Sequence, residues 1–437
     1  MSYQSVDVVE VWAWGGRVGA VAPHPVSGAF VFAFTPEWIA GGIELAPLMM
    51  PLRPEPYSFP ELSERTYYGL PALLADALPD AFGNALVDAW MAEQGVPLGA
   101  ITPLDRLAYA ADRPLGSLEF RPPARDLKDE PPTAVALADL VQAARLTVRG
   151  ELASDETARA ALQQLIQVGT SAGGARAKAV VAFHPATYQV RSAYGPPEDG
   201  FEQWLIKLDG VSAKGLDGHG DGLGESAPYG RIEHAYWRMA TAAGITMSEC
   251  RLLAEGPRRH FMTRRFDRTA DGGKVHLLSL CALAHLDFNL TGTHSYDQFL
   301  GAVSALGLGP GPLAEAYRRM VFNVAGANHD DHTKNLAFLA TPDGTWSLAP
   351  AFDVTHAYRR DSEWTSRHLM SVNGRFEEIT RDDLYAVGER HEVPGYRRLV
   401  REVFEAVDRW REFAVLSEVP VDIAEKIATE LDGFRPR

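Results

Sequence analysis

The stretch NHDDHTKN, residues 328–335, decides the fold. Nearly all of its side chains can bind a proton, a metal or a phosphate. An Asx-rich turn around one buried carboxylate accounts for one or two such residues, not for a run of them. Asp330 precedes Asn335 by five positions. That interval lets an aspartate orient or accept a hydroxyl proton while an asparagine binds magnesium, the arrangement of a phosphoryl-transfer loop. Asp331 gives the wrong interval, so Asp330 is the expected base.

The residues that follow support this reading. The segments 336–340 and 345–349 read as the arms of a hairpin around Pro342-Asp343-Gly344, returning the chain at PAFD, 350–353. The two ends of an antiparallel pair lie close together, so Asp353 is expected near Asn335 as a second oxygen ligand for Mg2+. A metallohydrolase using His329, Asp330, Asp331 and His332 is the rival. Four adjacent loop residues rarely all aim at one metal, and no His-x-x-His or His-x-His partner occurs elsewhere.

Upstream, residues 201–208 read as an apolar strand interrupted by Lys207, whose ammonium needs a ligand to offset its desolvation. Glu233, expected in the first turn of a helix over 232–243, is the candidate ion-pair partner. Taken alone, a snorkelling lysine and a carboxylate at a helix N-terminus explain them as well. Gly173-Gly174, in VGTSAGGARAK at 168–178, lets backbone N–H groups approach phosphates, although the full G-x-G-x-x-G pattern is missing. Arg265-Phe266-Asp267-Arg268 closes a β run over 260–266, where a nucleotide-binding hinge is expected; a strand-terminal ion pair is the plainer reading. The order of these signals matches that of a protein kinase, which carries more weight than any one of them.

Composition sets the frame. At 437 residues the chain exceeds one ordinary core. With 46% hydrophobic and 23% charged residues it reads as globular rather than disordered. Cys250 and Cys281 are its only cysteines, too few for a disulfide framework or a zinc site, so a cytoplasmic setting is expected. The start, MSYQSVDVVEVW, does not read as a secretory leader, and the apolar run 275–286 is too short to span a bilayer. A formal charge of −15 argues against direct binding of a DNA duplex.

Strand-like runs at 8–14, 17–23 and 29–34 precede helix-like spacing at 70–83 and 84–95. The proline-rich stretch 121–133 reads as a boundary. Helices are expected over 134–149 and 155–167, a strand over 179–183, and a mostly helical remainder after 266. The organisation expected is a β-rich domain over 1–125, a nucleotide-binding lobe over 126–268 and a helical lobe over 269–437.

With these motifs in hand, the chain resembles the HipA-like kinases, the toxin half of bacterial toxin–antitoxin pairs. The matching segments are SAGGARAK (171–178), WLIKL (204–208), RFDR (265–268), NHDDHTKN (328–335) and PAFD (350–353). LADALPDAFG (74–83) and EHAYWRMATAAGI (233–245) are softer matches. The resemblance implies an α+β chain: a small β-rich N-terminal domain, then a protein-kinase-like bilobal domain with a mostly helical C-terminal lobe. It implies a serine/threonine protein kinase using ATP and Mg2+, with Asp330, Lys207 and Asn335 catalytic and Asn335 and Asp353 on the metal. The nucleotide-contacting set implied is Gly173, Gly174, Ala175, Arg176, Lys178, Lys207, Glu233, Arg264, Arg265, Phe266, Asp267, His332, Lys334, Asn335 and Asp353. Ser171 matches a self-phosphorylated position, with Thr170 as a second acceptor. Implied partners are a protein substrate such as an aminoacyl-tRNA synthetase and a small helix-turn-helix antitoxin through which DNA is reached indirectly; no membrane is implied. Two departures stand out: Asp353-Val354-Thr355 lacks the Phe-Gly of eukaryotic kinases, and Ala177 replaces a bulkier residue. An idle corepressor of the antitoxin and a small-molecule kinase of related fold are the alternative readings.

Overall fold

A computed structural model describes residues 3, 5–124, 139–141, 144, 176–193, 198–212 and 228–437. Helix makes up 36% and strand 22% of the described residues, which bears out the mixed α+β class. The chain divides into two compact units, residues 1–218 with 264–278 and 339–345, and residues 219–263 with 279–338 and 346–437.

The first unit opens with an antiparallel sheet of order β3-β2-β1-β4, formed by β1 (Val9–Ala13), β2 (Gly16–Pro23), β3 (Phe30–Phe34) and β4 (Leu118–Arg121). Alternation buries Val9, Val11 and Ala13 on one face of β1, the period-2 signal the sequence displays. The helix-like run at 70–95 resolves into a short helix Ala72–Ala75 and a longer one, Ala81–Glu93. The second starts where Asp80 accepts from Gly83 N at 2.7 Å, so the helix runs through Gly83 instead of breaking there.

A second set of strands in this unit carries the lysines. The strand β5 (Arg176–Phe183) pairs antiparallel with β6 (Val190–Ser192) and β7 (Glu202–Ser212). It starts earlier than expected, so Ala177 is a fully buried strand residue and not part of a loop. Likewise β7 continues past Leu208. Its register with β5 shifts between Lys207 and Ser212, a stretch containing Gly210 at φ 75°.

The unit is tied together at residues 264–278. Asp267 accepts from Arg265 Nε and Nη2 at 2.9 and 2.6 Å, from Arg268 Nη1 at 2.7 Å and from Gly116 N at 2.7 Å. Arg268 also donates to Gly116 O at 3.0 Å. Gly116 sits at φ 83°, and a Cβ there would meet Leu277 N at 2.8 Å, so only glycine fits. Burial would raise the Asp267 carboxyl pKa. The Arg265 and Arg268 charges and the hydrogen bonds outweigh it and hold the group well below the usual carboxylate range. Nearby, His276 Nε2 meets Leu45 O at 2.8 Å, and its Nδ1 meets Ser117 Oγ at 3.3 Å.

The second unit contains the hairpin of β8 (Cys250–Glu255) and β9 (Arg258–Arg264), without its last residue. Its helices are Tyr229–Ala242, Tyr296–Ala305, Pro310–Ala325, Arg381–Arg390, Tyr396–Val407, Trp410–Leu416 and Val421–Phe434, with shorter pieces between. Tyr236, Tyr317, Phe322, Val403, Trp410 and Ile427 fill its core. The remainder after 266 is less purely helical than expected: strand pieces occur at His276–Ser279 and at His294–Ser295, which pairs in parallel with Met370–Ser371. Among the described residues, no helix is long and apolar enough to cross a membrane.

Candidate active site

The helix Pro310–Ala325 delivers the chain to the 328–335 loop. Its end is fixed by Asn328 Nδ2, which donates to Asn323 Oδ1 at 2.9 Å, while Asn323 Nδ2 donates to the Tyr296 hydroxyl at 2.8 Å. Asn328 then bridges in parallel to Ala357. His329 N donates to Ala357 O at 3.0 Å. Each polar residue of NHDDHTKN therefore has a separate task.

Asp331 is structural. Its side chain is fully buried and accepts from Tyr296 OH at 2.8 Å and Leu369 N at 2.7 Å, with His368 Nδ1 at 2.8 Å. His329 is buried as well, with Nδ1 at 3.2 Å from Thr365 O. Burial first, and then the neighbouring His368, push its pKa down to about 2. The imidazole thus stays neutral and places no cation next to Asp330. Thr333 donates to Leu286 O at 2.7 Å.

Asp330 differs from both flanking residues. Its side chain is 37% exposed. One carboxylate oxygen accepts from Trp364 Nε1 at 2.6 Å, and His332 Nε2 lies 3.6 Å from the same oxygen. Asn335 Nδ2 donates to the Asp330 backbone carbonyl at 2.9 Å, closing the 330–335 segment on itself. That use of the amide nitrogen leaves Oδ1 as the Asn335 atom suited to a hard cation. Lys334 lies over the Phe288 ring at 5.5 Å.

The hairpin base is closed by Ala349 N donating to Ala337 O at 3.0 Å. Asn335 and Asp353 thus leave from the same end of the hairpin. Ala351 N donates to Thr246 O at 2.8 Å, anchoring the returning strand two residues before Asp353. Asp353 itself is half-buried at φ 52°, a left-handed conformation uncommon for a residue with a side chain and a frequent mark of functional sites. An amide oxygen and one carboxylate fit Mg2+, which binds through few protein ligands and keeps waters and phosphate oxygens. Among the described residues no cluster of three or more His, Cys, Asp or Glu could hold a metal, so the metallohydrolase reading finds no ligand set.

In the first unit, Lys178 and Lys207 are direct partners across β5 and β7, and both are buried. Arg265 and Asp267 are committed to the ion-pair network described above, which matches the plainer of the two readings of RFDR. In the second unit, Glu233 is buried in the helix Tyr229–Ala242. That helix begins at Tyr229 rather than 232, so Glu233 lies beyond the first turn and the helix-dipole explanation loses its basis. Thr170, Ser171, Gly173, Gly174 and Ala175 lie outside the described residues, as do the side chain of Arg176 and most of the helices expected over 134–167.

Trp364, Tyr296 and His368 escaped sequence reasoning. They contact the loop from 34, 35 and 37 positions away, and no local pattern marks them.

Comparison with known proteins bears on the family and the fold. The model of the HipA N-terminal domain matches residues 9–121. That of the HipA-like C-terminal domain matches residues 170–412, more than half of the chain. A Sinorhizobium fredii protein named "Putative kinase Y4dM" is 25% identical over 178 residues, covering 40% of this chain and 42% of that protein. The chain thus spans under half the length of that curated relative. Among solved structures, HipA of Shewanella oneidensis MR-1, determined with HipB and its operator DNA, superimposes with a TM-score of 0.63 at 16% identity. That match covers 98% of this chain and 95% of the other, so the two share a fold. The Helicobacter pylori proinflammatory kinase CtkA gives a TM-score of 0.28 at 11% identity, over 53% of this chain and 92% of its own, too low to bear on the fold.

Proposed function

The chain belongs to the HipA family, and from that premise we propose that it is an ATP- and magnesium-dependent serine/threonine protein kinase, the toxin of a toxin–antitoxin pair. The observation that carries the proposal is the contrast within the 328–335 loop. Asp331 and His329 are buried in structural contacts, while Asp330 presents a partly exposed carboxylate on a loop locked by Asn335.

In this reading Asp330 accepts the proton of the acceptor hydroxyl. The hydroxyl oxygen bonds to the γ-phosphorus as the bond from that phosphorus to the bridging oxygen breaks, and ADP leaves. Lys178 and Lys207 hold phosphate oxygens, a role suited to two buried ammonium groups on one sheet face. A magnesium ion held by Asn335 Oδ1 and Asp353 would neutralise charge on the phosphates. Ser171, with Thr170 as alternate, is the proposed self-phosphorylation site. The HipB and operator DNA bound to the Shewanella protein support a small DNA-binding antitoxin as partner. A translation component such as an aminoacyl-tRNA synthetase is the proposed acceptor.

Mass spectrometry of the purified chain after incubation with Mg·ATP tests the reading. One added phosphate, near Ser171, is expected. An unmodified chain that also shows no ATP-dependent rise in melting temperature would instead favour an idle corepressor.

A further inference from the structure

The segment 359–369 grips the 328–335 loop residue by residue. Thr365 O meets His329 Nδ1 at 3.2 Å, Trp364 Nε1 donates to Asp330 at 2.6 Å, and His368 with Leu369 N binds Asp331 at 2.8 and 2.7 Å. Trp364 is in turn held from behind, because Ser362 Oγ accepts from both Trp364 N and Thr365 N at 3.1 Å. The indole is itself buried and meets Phe288 edge-on at 6.4 Å and His332 at 5.8 Å.

We propose that Trp364 is a positioning residue for Asp330, fixing the plane of the base carboxylate against the acceptor hydroxyl. Asp330 is the one residue of the three that remains partly exposed, so its carboxylate depends on a directional contact more than its buried neighbours do. An indole N–H supplies direction and brings no positive charge, so it orients the carboxylate without an opposing cation. A lysine or arginine in the same place would oppose proton transfer to it. The surrounding anchors make the contact rigid, as a first-order positioning role requires. This inference rests on the kinase reading above.

The test compares Trp364→Phe with Trp364→Tyr in the full chain. Both replace the indole by a smaller ring, but only tyrosine keeps a donor. Rates of transfer from Mg·ATP are read on casein as a probe acceptor and on the chain itself. For Trp364→Phe we expect kcat to fall about 10-fold or more at unchanged KM for ATP, the scale of one hydrogen bond to a charged group. Trp364→Tyr should stay within about threefold of the natural chain. Should Trp364→Phe fail to fold, Ser362→Ala, which loosens the turn holding the indole, should lower kcat in the same selective way. Undiminished kcat in the Phe variant, equal losses in Phe and Tyr, or, as the substitute test, an unaffected Ser362→Ala enzyme would each overturn the positioning role and leave the kinase reading standing. A natural chain that binds ATP yet transfers nothing overturns both.

Discussion

Lys178 and Lys207 lie directly opposite each other on neighbouring antiparallel strands, and both are buried. Directly opposed residues share one face of a sheet, and like charges in that relation are unfavourable. The phosphate-holding role proposed for the pair sets a polyanion against both ammonium groups, so each lysine offers its own test.

Replacing either lysine by methionine should therefore weaken Mg·ATP binding about 10- to 100-fold, the scale of one charge-assisted hydrogen bond. Binding of adenosine, which has no phosphate, should change little. Thermal shifts with both ligands give the comparison. If the ATP-dependent shift survives in both variants, the lysines are strand residues and the phosphates sit elsewhere.

The two adjacent aspartates should respond differently to the same substitution. Asp330→Asn keeps the backbone carbonyl that Asn335 uses and an oxygen for Trp364, so folding and ATP binding should persist while transfer falls 10²–10⁴-fold or more. Asp331→Asn removes charge from a buried group bound by Tyr296, His368 and Leu369. Its melting temperature should drop, by the equivalent of about 3 kcal/mol. Normal turnover in Asp330→Asn would transfer the base role to another group.

How far these roles were legible follows the range of the interactions. Asp330 and Asn335 are five apart, and β1 to β3 alternate locally, so spacing and periodicity suffice for both. The place of Asp353 at the return of the hairpin and the choice between Asp330 and Asp331 also rest on nearby residues, whereas the left-handed backbone of Asp353 is seen only in the structure. The grip of Trp364 and His368 does not, because tertiary contacts create it across more than thirty positions. The role of RFDR is a similar case. As an isolated motif it reads as a strand-terminal ion pair, which the structure has, but Asp267 also finds Gly116 151 positions away, a pairing no local pattern encodes.

Asp267 gives the third prediction. Asp267→Asn leaves the buried guanidinium groups of Arg265 and Arg268 without their shared carboxylate. Removing one side of such a buried pair costs about 3–5 kcal/mol. Urea unfolding should show that loss; a change under about 1 kcal/mol would mean that water replaces the carboxylate and that the network is peripheral to stability.

His276 gives a pH dependence. It is buried between Leu45 O and Ser117 Oγ. Burial lowers its pKa to about 4, and the hydrogen bond to the Leu45 carbonyl, which favours the protonated ring, only partly opposes this. In the unfolded chain the same group titrates near 6.5. The folded state therefore prefers the neutral imidazole. The contribution to stability is complete above about pH 6.5 and is lost as pH falls through 6.5 towards 4, with a total of about 3 kcal/mol. Across that window the natural chain should lose up to about 1.4 kcal/mol more per pH unit than a His276→Gln variant, because one more proton binds on unfolding. His234, also lowered to about 4 by burial, adds to the slope of both proteins and cancels in the difference. Urea midpoints at pH 8, 6 and 5 measure it. Parallel pH profiles for the two proteins would show that His276 takes up its proton in the folded chain as readily as in water.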